Sequence, residues 1–256
     1  MTKLTFLLVF LACGMILMSA SMPVPPNPSS ATPVLVELFT SEGCSSCPPA
    51  DRLLQDFDKQ PVAGARLIVL SEHVDYWNHI GWKDPYSSSF YSGRQSAYST
   101  HFRLKSVYTP QMVVDGSTEF VGSDSGRANQ AVAAARPSQK IPVRISNISV
   151  TGGELHARVE ADSLPVGEAD VIAVVALNHA ESQVSGGENS GRRLTHVAVV
   201  QSFTNVGKVG KNKAFAQEIR LDLPSGRDVS NLRLIALVQQ PGPGKVLGAA
   251  MAQVQK

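Results

Sequence analysis

Two cysteines spaced C-x-x-C, Cys44 and Cys47, follow directly on a short apolar segment and constrain this chain more than any other feature. Residues 33–39 are apolar on both faces of an extended chain, with Glu37 as the one charge. That pattern is typical of a central strand covered on both sides. Two prolines come next, at positions where the first turn of a helix tolerates proline. The segment therefore predicts a buried strand, a C-x-x-C turn and a helix in immediate succession.

The first 30 residues predict the compartment. A short basic start is followed by an apolar run from Leu4 to Met18, then by small residues and a Pro-rich stretch. This composition predicts a secretory signal peptide over residues 1–21 and a linker over residues 22–32. The apolar run is about fifteen residues long, which is short for a membrane span. We expect a secreted or periplasmic protein that contacts a membrane only through this segment, if the segment stays uncleaved.

The cysteine count narrows the chemistry. Of the three cysteines, Cys13 lies in the apolar run and is expected to leave with it, so the mature chain keeps Cys44 and Cys47. In an oxidising compartment these two are expected to pair. A loop this short removes little entropy from the unfolded chain, so such a bond adds little stability. We therefore expect the Cys44–Cys47 disulfide to take part in a reaction rather than to stabilise the fold.

The segments after the first helix are predicted to be further strands and helices. Residues 66–71 form a second buried strand, and a β-α-β order implies a right-handed parallel pair. Asp115-Gly116 is a strong hairpin turn between two short strands. The full predicted order over residues 33–137 is β-α-β-α-β-β-α, with later helices over 86–104 and 125–136 and strands beginning at Met112 and at Thr118.

The composition changes near residue 138. Seven strand-like runs separated by Gly- and Pro-containing turns predict an all-β, sandwich-like domain over residues 138–256. The runs are 141–150, 154–161, 169–178, 195–204, 213–223, 231–239 and 245–254. The chain is expected to comprise this domain and an α/β domain over residues 33–137.

The charge balance excludes one class of partner. The formal net charge is only +2, and no basic stripe appears in the sequence. A nucleic-acid-binding surface normally shows as such a stripe, so no nucleic-acid partner is expected.

The N-terminal half resembles the thioredoxin superfamily. The resemblance rests on the element order, on the C-x-x-C pair between the first strand and helix, and on Thr109-Pro110 before an apolar strand. It implies a cis peptide bond at Pro110, with Thr109 and Pro110 shaping the substrate groove. It further implies that Cys44 is the nucleophile, since a helix N-terminus favours its thiolate. Cys47 would then resolve the mixed disulfide, and Glu37 would relay a proton to it.

Two further motifs are candidates for substrate binding. His73, Asp75, Tyr76 and Trp77 follow the second strand and are predicted to wall the groove, or else to form a structural loop over the core. Arg192 ends a glycine-rich segment and is a candidate ligand for an anionic group, the alternative being a solvated turn. His196, which lies beyond that segment, is expected to be structural.

A closer resemblance covers nearly the whole mature chain. Four motifs in order are similar to secreted bacterial proteins grouped as domain of unknown function 1223: ELFTSEGCSSCPPAD, HVDYWNHIGWKDPY, YTPQMVVDG and GGENSGRRLTHVAVV. This resemblance implies the same fold and secretion, and it leaves the activity open.

The function expected from these residues is thiol–disulfide exchange without a cofactor, with protein thiols or disulfides of the cell envelope as partners. One alternative is a non-enzymatic binding module that holds a static disulfide. Another is a copper or zinc site formed by the two thiolates with His73 or His79.

Overall fold

The computed structural model describes residues 31–223, 226 and 228–255. The predicted signal peptide, and the predicted linker up to residue 30, lie outside the described residues. The elements in chain order are β1 Thr32–Thr40, α1 Pro48–Lys59, β2 Ala65–His73, α2 Ser89–His101, β3 Gln111–Val114, β4 Thr118–Val121, α3 Ser125–Ala135, β5 Val143–Thr151, β6 Glu154–Ala161, β7 Glu168–Gln183, β8 Arg193–Gly210, β9 Phe215–Asp222, β10 Leu232–Gln239 and β11 Val246–Gln253. None of the helices in the described part of the chain is long and apolar enough to span a bilayer.

Strand β1 lies inside the main sheet, as its apolar pattern predicts. Residues 34–40 are all buried. The strand pairs in parallel with β2 and antiparallel with β3. Helix α1 connects β1 to β2, so the predicted β-α-β unit is present.

One mixed sheet contains strands from both halves of the sequence. Its eight strands run in the order β11-β10-β7-β8-β2-β1-β3-β4. The junction is a parallel bridge between Ser71 of β2 and Val199 of β8. Strands on either side of residue 138 therefore belong to one α/β architecture, and the start of β8 lies close to α1.

A second sheet packs on the first. Its three strands run in the order β5-β6-β9. Side chains of β6 alternate between buried and partly exposed, as expected for a sheet with one covered face. Leu155 and Ile219 from this sheet share a core with Val171 and Leu234 of the larger sheet. In the described part of the chain, seven strands, β5 to β11, follow α3, as the turn spacing predicts.

The two faces of β1 carry different layers, because successive side chains of a strand point to opposite sides. Val34, Val36 and Leu38 share a core with Leu54 of α1. Glu37 belongs to the alternate set and binds side chains of α2 on the other face. Its carboxylate consequently lies on the side of the sheet opposite to α1.

The Asp-Gly hairpin turn between β3 and β4 is confirmed. Asp115 and Gly116 have φ angles of 52° and 62°, both in the left-handed region. The N–H of Ser117 donates to the carbonyl oxygen of Val114 at 3.0 Å, which closes the turn.

Gly116→Ala is expected to destabilise the fold more than a glycine substitution at an open turn. A left-handed backbone costs a non-glycine residue about 1–3 kcal/mol. A Cβ at Gly116 would in addition clash with the carbonyl oxygen of Gly244, whereas Gly152 has a similar φ of 63° and nothing within 4 Å. Urea unfolding of Gly116→Ala and of Gly152→Ala separates the two costs. Equal losses in the two variants would show that the Gly244 contact is unimportant.

Candidate functional site

Cys44 and Cys47 form a disulfide in the connection between β1 and α1. Cys47 is the N-cap residue of α1. Both cysteines are 0% exposed, whereas Ser45 and Ser46 between them are exposed. Reagents in solution therefore reach the sulfur atoms only after part of the structure moves.

The connection between β7 and β8, residues 184–192 and named here the 184–192 loop, binds the backbone next to the pair. Asn189 Nδ2 donates to the carbonyl oxygens of Glu42 at 2.9 Å and of Cys44 at 3.0 Å. The Glu188 carboxylate accepts a hydrogen bond of 3.0 Å from the backbone N–H that follows Cys44. Three hydrogen bonds thus tie the loop to the backbone around the first cysteine.

The glycines of this loop allow it to approach the chain closely. A Cβ at Gly186 would clash with the carbonyl oxygen of Gly81. The loop therefore rests directly on residues 75–82, named here the 75–82 segment. The two adjacent glycines in the sequence permit this backbone contact, which a larger residue would prevent.

Arg192 lies at the end of the same loop. Its Nη1 donates to Asn189 Oδ1 at 3.1 Å. The bond orients the amide so that its NH₂ group faces the backbone carbonyls near the cysteines. In this conformation Arg192 supports the loop, and its predicted role in binding an anionic group stays a prediction.

The 75–82 segment contacts the chain directly before the pair. Trp77 packs against Gly43, where a Cβ would lie 3.0 Å from the Cβ of Trp77. Trp77 Nε1 donates to Thr109 Oγ1 at 2.8 Å. The Thr109–Pro110 peptide bond is cis, as the resemblance implies, and Pro110 is buried. The structure thus links three of the predicted groove residues to the residue that precedes Cys44.

Asp75 and Tyr76 turn toward α2. Asp75 Oδ1 accepts a hydrogen bond of 2.6 Å from the Ser92 hydroxyl. The Tyr76 hydroxyl donates to Gln95 Oε1 at 3.0 Å. These two side chains fasten the 75–82 segment to the helix, as the alternative of a structural loop predicts.

A buried ionisable cluster lies beside the cysteine pair. Glu42 Oε1 is 3.2 Å from His196 Nε2, and Glu42 Oε2 accepts a hydrogen bond of 2.8 Å from Trp82 Nε1. The other ring nitrogen of His196, Nδ1, lies 3.5 Å from Asp51 Oδ1, an ion-pair distance slightly long for a hydrogen bond. Glu42 precedes Cys44 by two residues, so the cluster is attached to the C-x-x-C connection at one end and to α1 at the other.

A second buried pair adjoins this cluster. His73, which is 0% exposed, has its Nδ1 2.7 Å from Asp84 Oδ2. Asp84 Oδ2 also accepts from the backbone N–H of Glu42 at 2.9 Å. The His73 ring lies edge-on to that of His196, with centroids 4.6 Å apart. His73 is therefore part of the buried layer beneath the pair.

The charges in this layer are set by burial and by partners. Burial lowers the pKa of His196, but the carboxylates of Asp51 and Glu42 on its two sides outweigh that effect and raise the pKa to about 10. Burial raises the pKa of Asp84, and the opposing effects of His73 and backbone N–H groups bring it below its ordinary value. His196 is consequently a buried imidazolium at neutral pH.

Glu37 belongs to a different cluster. Its Oε1 accepts from Arg94 Nε at 2.8 Å, and its Oε2 accepts from the Tyr98 hydroxyl at 2.5 Å. Glu72, also 0% exposed, has Oε1 3.6 Å from Arg94 Nε. Because this cluster lies on the sheet face opposite to α1, the placement gives no support to a proton relay from Glu37 to Cys47.

The histidines of the metal hypothesis are engaged in hydrogen bonds. His73 binds Asp84, and His79 Nδ1 lies 2.7 Å from the carbonyl oxygen of Tyr76. Among the residues that the structure describes, no three His, Cys, Asp or Glu side chains are placed to hold a metal ion.

Sequence reasoning assigned no role to most of the residues nearest the pair. Asp51 carries the one available signal, because it follows Cys47 by four residues and so falls on the same side of α1. Glu42 is next to the motif, but its sequence neighbours do not indicate a buried partner 154 residues away. His196 and Asn189 carry no local signal, since each reaches the site from about 145–155 residues away along the chain.

Comparison with known families gives one match over most of the chain. The sequence profile of the family described as "Protein of unknown function (DUF1223)" matches residues 35–239. No curated protein matches the chain at a significant level.

A solved structure that covers most of the chain is similar to it. Protein AGR_C_4864 from Agrobacterium tumefaciens is 27% identical, with a TM-score of 0.67, over 88% of this chain and 98% of that one. The sporulation control protein Spo0M from Bacillus subtilis is 8% identical, with a TM-score of 0.32, over 45% of this chain and 47% of that one. A TM-score of 0.32 is too low to support an argument about fold or function.

Proposed function

The chain belongs to the DUF1223 family of proteins of unknown function, and we propose that its Cys44–Cys47 pair carries out thiol–disulfide exchange. The observation that carries the proposal is the disulfide itself, which joins the N-cap residue of α1 to the residue three positions earlier. A bond that closes so short a loop adds little to stability. The position favours a thiolate, because the N-terminus of a helix presents free N–H groups and a positive dipole end.

The proposed fold of the N-terminal half is thioredoxin-like. The order β1-α1-β2-α2-β3-β4-α3 supports it, as does the sheet order β2-β1-β3-β4 within the larger sheet. Thr109 and Pro110, joined to the cysteine connection through Trp77, support the proposed groove.

The exchange proceeds in two steps. The Cys44 thiolate attacks one sulfur of a substrate disulfide, forms a mixed disulfide and releases the first substrate thiolate, which takes up a proton. The Cys47 thiol then gives up its proton and attacks Cys44 Sγ. This restores the Cys44–Cys47 disulfide and releases the second substrate sulfur as a thiol. The reverse sequence oxidises a substrate dithiol. The proposed partners are protein thiols and disulfides of the bacterial envelope, which the predicted signal peptide would let the chain reach.

Cys47→Ser is expected to trap the mixed disulfide. The reduced variant, treated with glutathione disulfide, should carry one glutathione on Cys44, because the residue that would release it is gone. Mass spectrometry measures the adduct, and a Cys44→Ser variant serves as the matched control. An adduct no more abundant or long-lived on Cys47→Ser than on wild type would overturn the proposal.

The second candidate is a binding module with a static disulfide, and the complete burial of both sulfur atoms favours it. Equilibration of the wild-type protein with dithiothreitol and glutathione buffers distinguishes the two functions. A static bond predicts a reduction potential below about −300 mV, whereas an exchanging pair predicts a higher one.

A further inference from the structure

A cleft opens at the end of α1 that lies away from the cysteines. It is formed by the last turn of that helix, by the turn that leads into β2 and by Met251 of β11, and its volume is about 510 Å³. Cys47 caps the start of α1, and the helix ends 12 residues later at Lys59. A helix of that length spans about 18 Å, so the cleft is separate from the disulfide.

The walls of this cleft are largely apolar. Phe57, Val62, Leu67 and Met251 line it. Phe57, Val62 and Leu67 belong to the core between α1 and the sheet, and Val62 and Leu67 remain partly exposed on the cleft side of that core. Sites that bind small molecules are typically concave and apolar, with a few charged or polar groups that fix the orientation of the ligand.

The rim of the cleft is positively charged. Lys59 and Arg66 line it, and both residues are exposed. Within the part of the chain that the structure describes, no acidic side chain forms an ion pair with either of them. Arg136, also exposed, adds a third cation beside the cleft, because its Nη1 donates to the carbonyl oxygen of Ala63 at 2.8 Å. The rim can therefore receive an anion.

The acid that lines the cleft is neutralised within the fold. Asp58 Oδ1 accepts from Arg233 Nη1 at 2.6 Å, and Asp58 Oδ2 accepts from Arg233 Nη2 at 3.0 Å. Both carboxylate oxygens are thus bound by one buried guanidinium. Asp56, the other acid in the last turns of α1, does not line the cleft. Lys59 and Arg66 consequently set the charge that a ligand meets.

We propose that this cleft binds a free long-chain carboxylate, with the alkyl chain against Val62 and Leu67 and the carboxylate at Lys59 and Arg66. Apolar walls favour a ligand that buries methylene groups. A guanidinium and an ammonium at the rim favour a carboxylate head, which an arginine can bind through two parallel hydrogen bonds. The site is independent of the proposed thiol–disulfide exchange, so a protein with both Cys44→Ser and Cys47→Ser should bind the same ligand equally well.

Isothermal titration calorimetry of the full chain with decanoate, below its micelle concentration, tests the proposal. Affinity should rise roughly threefold for each CH₂ from octanoate to dodecanoate, because each buried methylene adds a similar increment. Butanoate should not bind detectably. Decyltrimethylammonium has the same alkyl chain with a cationic head, and it should bind at least about tenfold more weakly than decanoate, because like charges at the rim repel it.

Two double variants locate the binding. Lys59→Gln with Arg66→Gln should weaken decanoate binding by about tenfold, since each exposed ion pair contributes a factor of about two to five. Lys105→Gln with Arg127→Gln, which removes two exposed cations that do not line the cleft, should leave the affinity unchanged.

Val62→Asp is a further variant that places an anion among the apolar walls, and it should abolish binding of decanoate. Circular dichroism and urea unfolding show whether each variant is folded. The proposal is wrong if decanoate binds no more tightly than decyltrimethylammonium, or if the two double variants bind it equally. A protein that binds no decanoate and is dimeric by light scattering would indicate that a second copy of the chain occupies the cleft, which also overturns the proposal.

Discussion

Replacing Arg94 with methionine is expected to lower the free energy of unfolding by about 3–5 kcal/mol, the usual cost of removing one partner from a buried ion pair. Arg94 binds Glu37 through Nε and Nη2 and lies near Glu72. Both carboxyl side chains are 0% exposed. Without the guanidinium, two buried acids face each other with no compensating charge.

The size of this loss should depend on pH. Burial and the neighbouring Glu37 raise the pKa of Glu72 well above 4.5, against the opposing effect of Arg94. A carboxyl whose pKa is higher in the folded than in the unfolded chain gives up stability as the pH rises above its unfolded value. Arg94→Met removes the opposing effect, so its cost should be small near pH 4 and grow as the pH rises through neutrality.

Urea unfolding at several pH values measures both effects. Arg127→Met is the matched control, because Arg127 is exposed on α3, and such substitutions usually change stability by less than about 0.5 kcal/mol. A second variant, Arg94→Met with Glu37→Gln, should recover part of the loss at neutral pH. A cost for Arg94→Met that is the same at pH 4 and pH 8 would contradict this account of the cluster.

Asn189→Ala is expected to raise the rate at which dithiothreitol reduces the Cys44–Cys47 disulfide by about tenfold or more. The variant removes the Asn189 donor from the carbonyl oxygen of Glu42, and it leaves the carbonyl oxygen of Cys44 with the N–H of Cys47 alone. An unpaired buried group costs about 1–3 kcal/mol, and this cost falls only on the closed position of the 184–192 loop. Because both sulfur atoms are fully buried when the loop is closed, their reactivity should follow the open fraction.

Two variants make this result interpretable. Ser190→Ala changes an exposed residue of the same loop and should leave the rate unchanged. Gly186→Ala disturbs the loop by an independent route, the clash with Gly81, and should also raise the rate. If neither Asn189→Ala nor Gly186→Ala reacts faster than wild type, then the 184–192 loop is not what limits access to the disulfide.

Much of the fold follows from local sequence patterns. The buried strand before the cysteines, the helix after them and the Asp115-Gly116 turn depend on neighbouring residues, and all three are present. The spacing of the C-terminal strands is likewise set by turn residues. Local patterns do not show that β8 pairs with β2. The two strands are joined by a single bridge, and such a bridge produces no periodic pattern in the sequence of either strand.

The candidate site likewise contains residues that sequence motifs indicate and residues whose position only the structure shows. Trp77, Thr109 and Pro110 lie near the pair because they belong to motifs that adjoin the same sheet edge. The relay role of Glu37 is what the thioredoxin resemblance implies for an acid on the strand before the cysteines. Strand alternation places it on the opposite face, where Arg94 binds it.

The sequence by itself determined the cysteine pair, its place between a buried strand and a helix, and the family to which the chain belongs. The first two properties depend on neighbouring residues, and the family is indicated by four motifs that occur in a fixed order along the chain. Only the tertiary structure decided that the disulfide is buried, that Asn189 and Glu188 bind the backbone beside it, and that His196 stands between Glu42 and Asp51. The physical reason is that the β2–β8 junction brings together side chains some 150 residues apart, and their burial and charge depend on that contact.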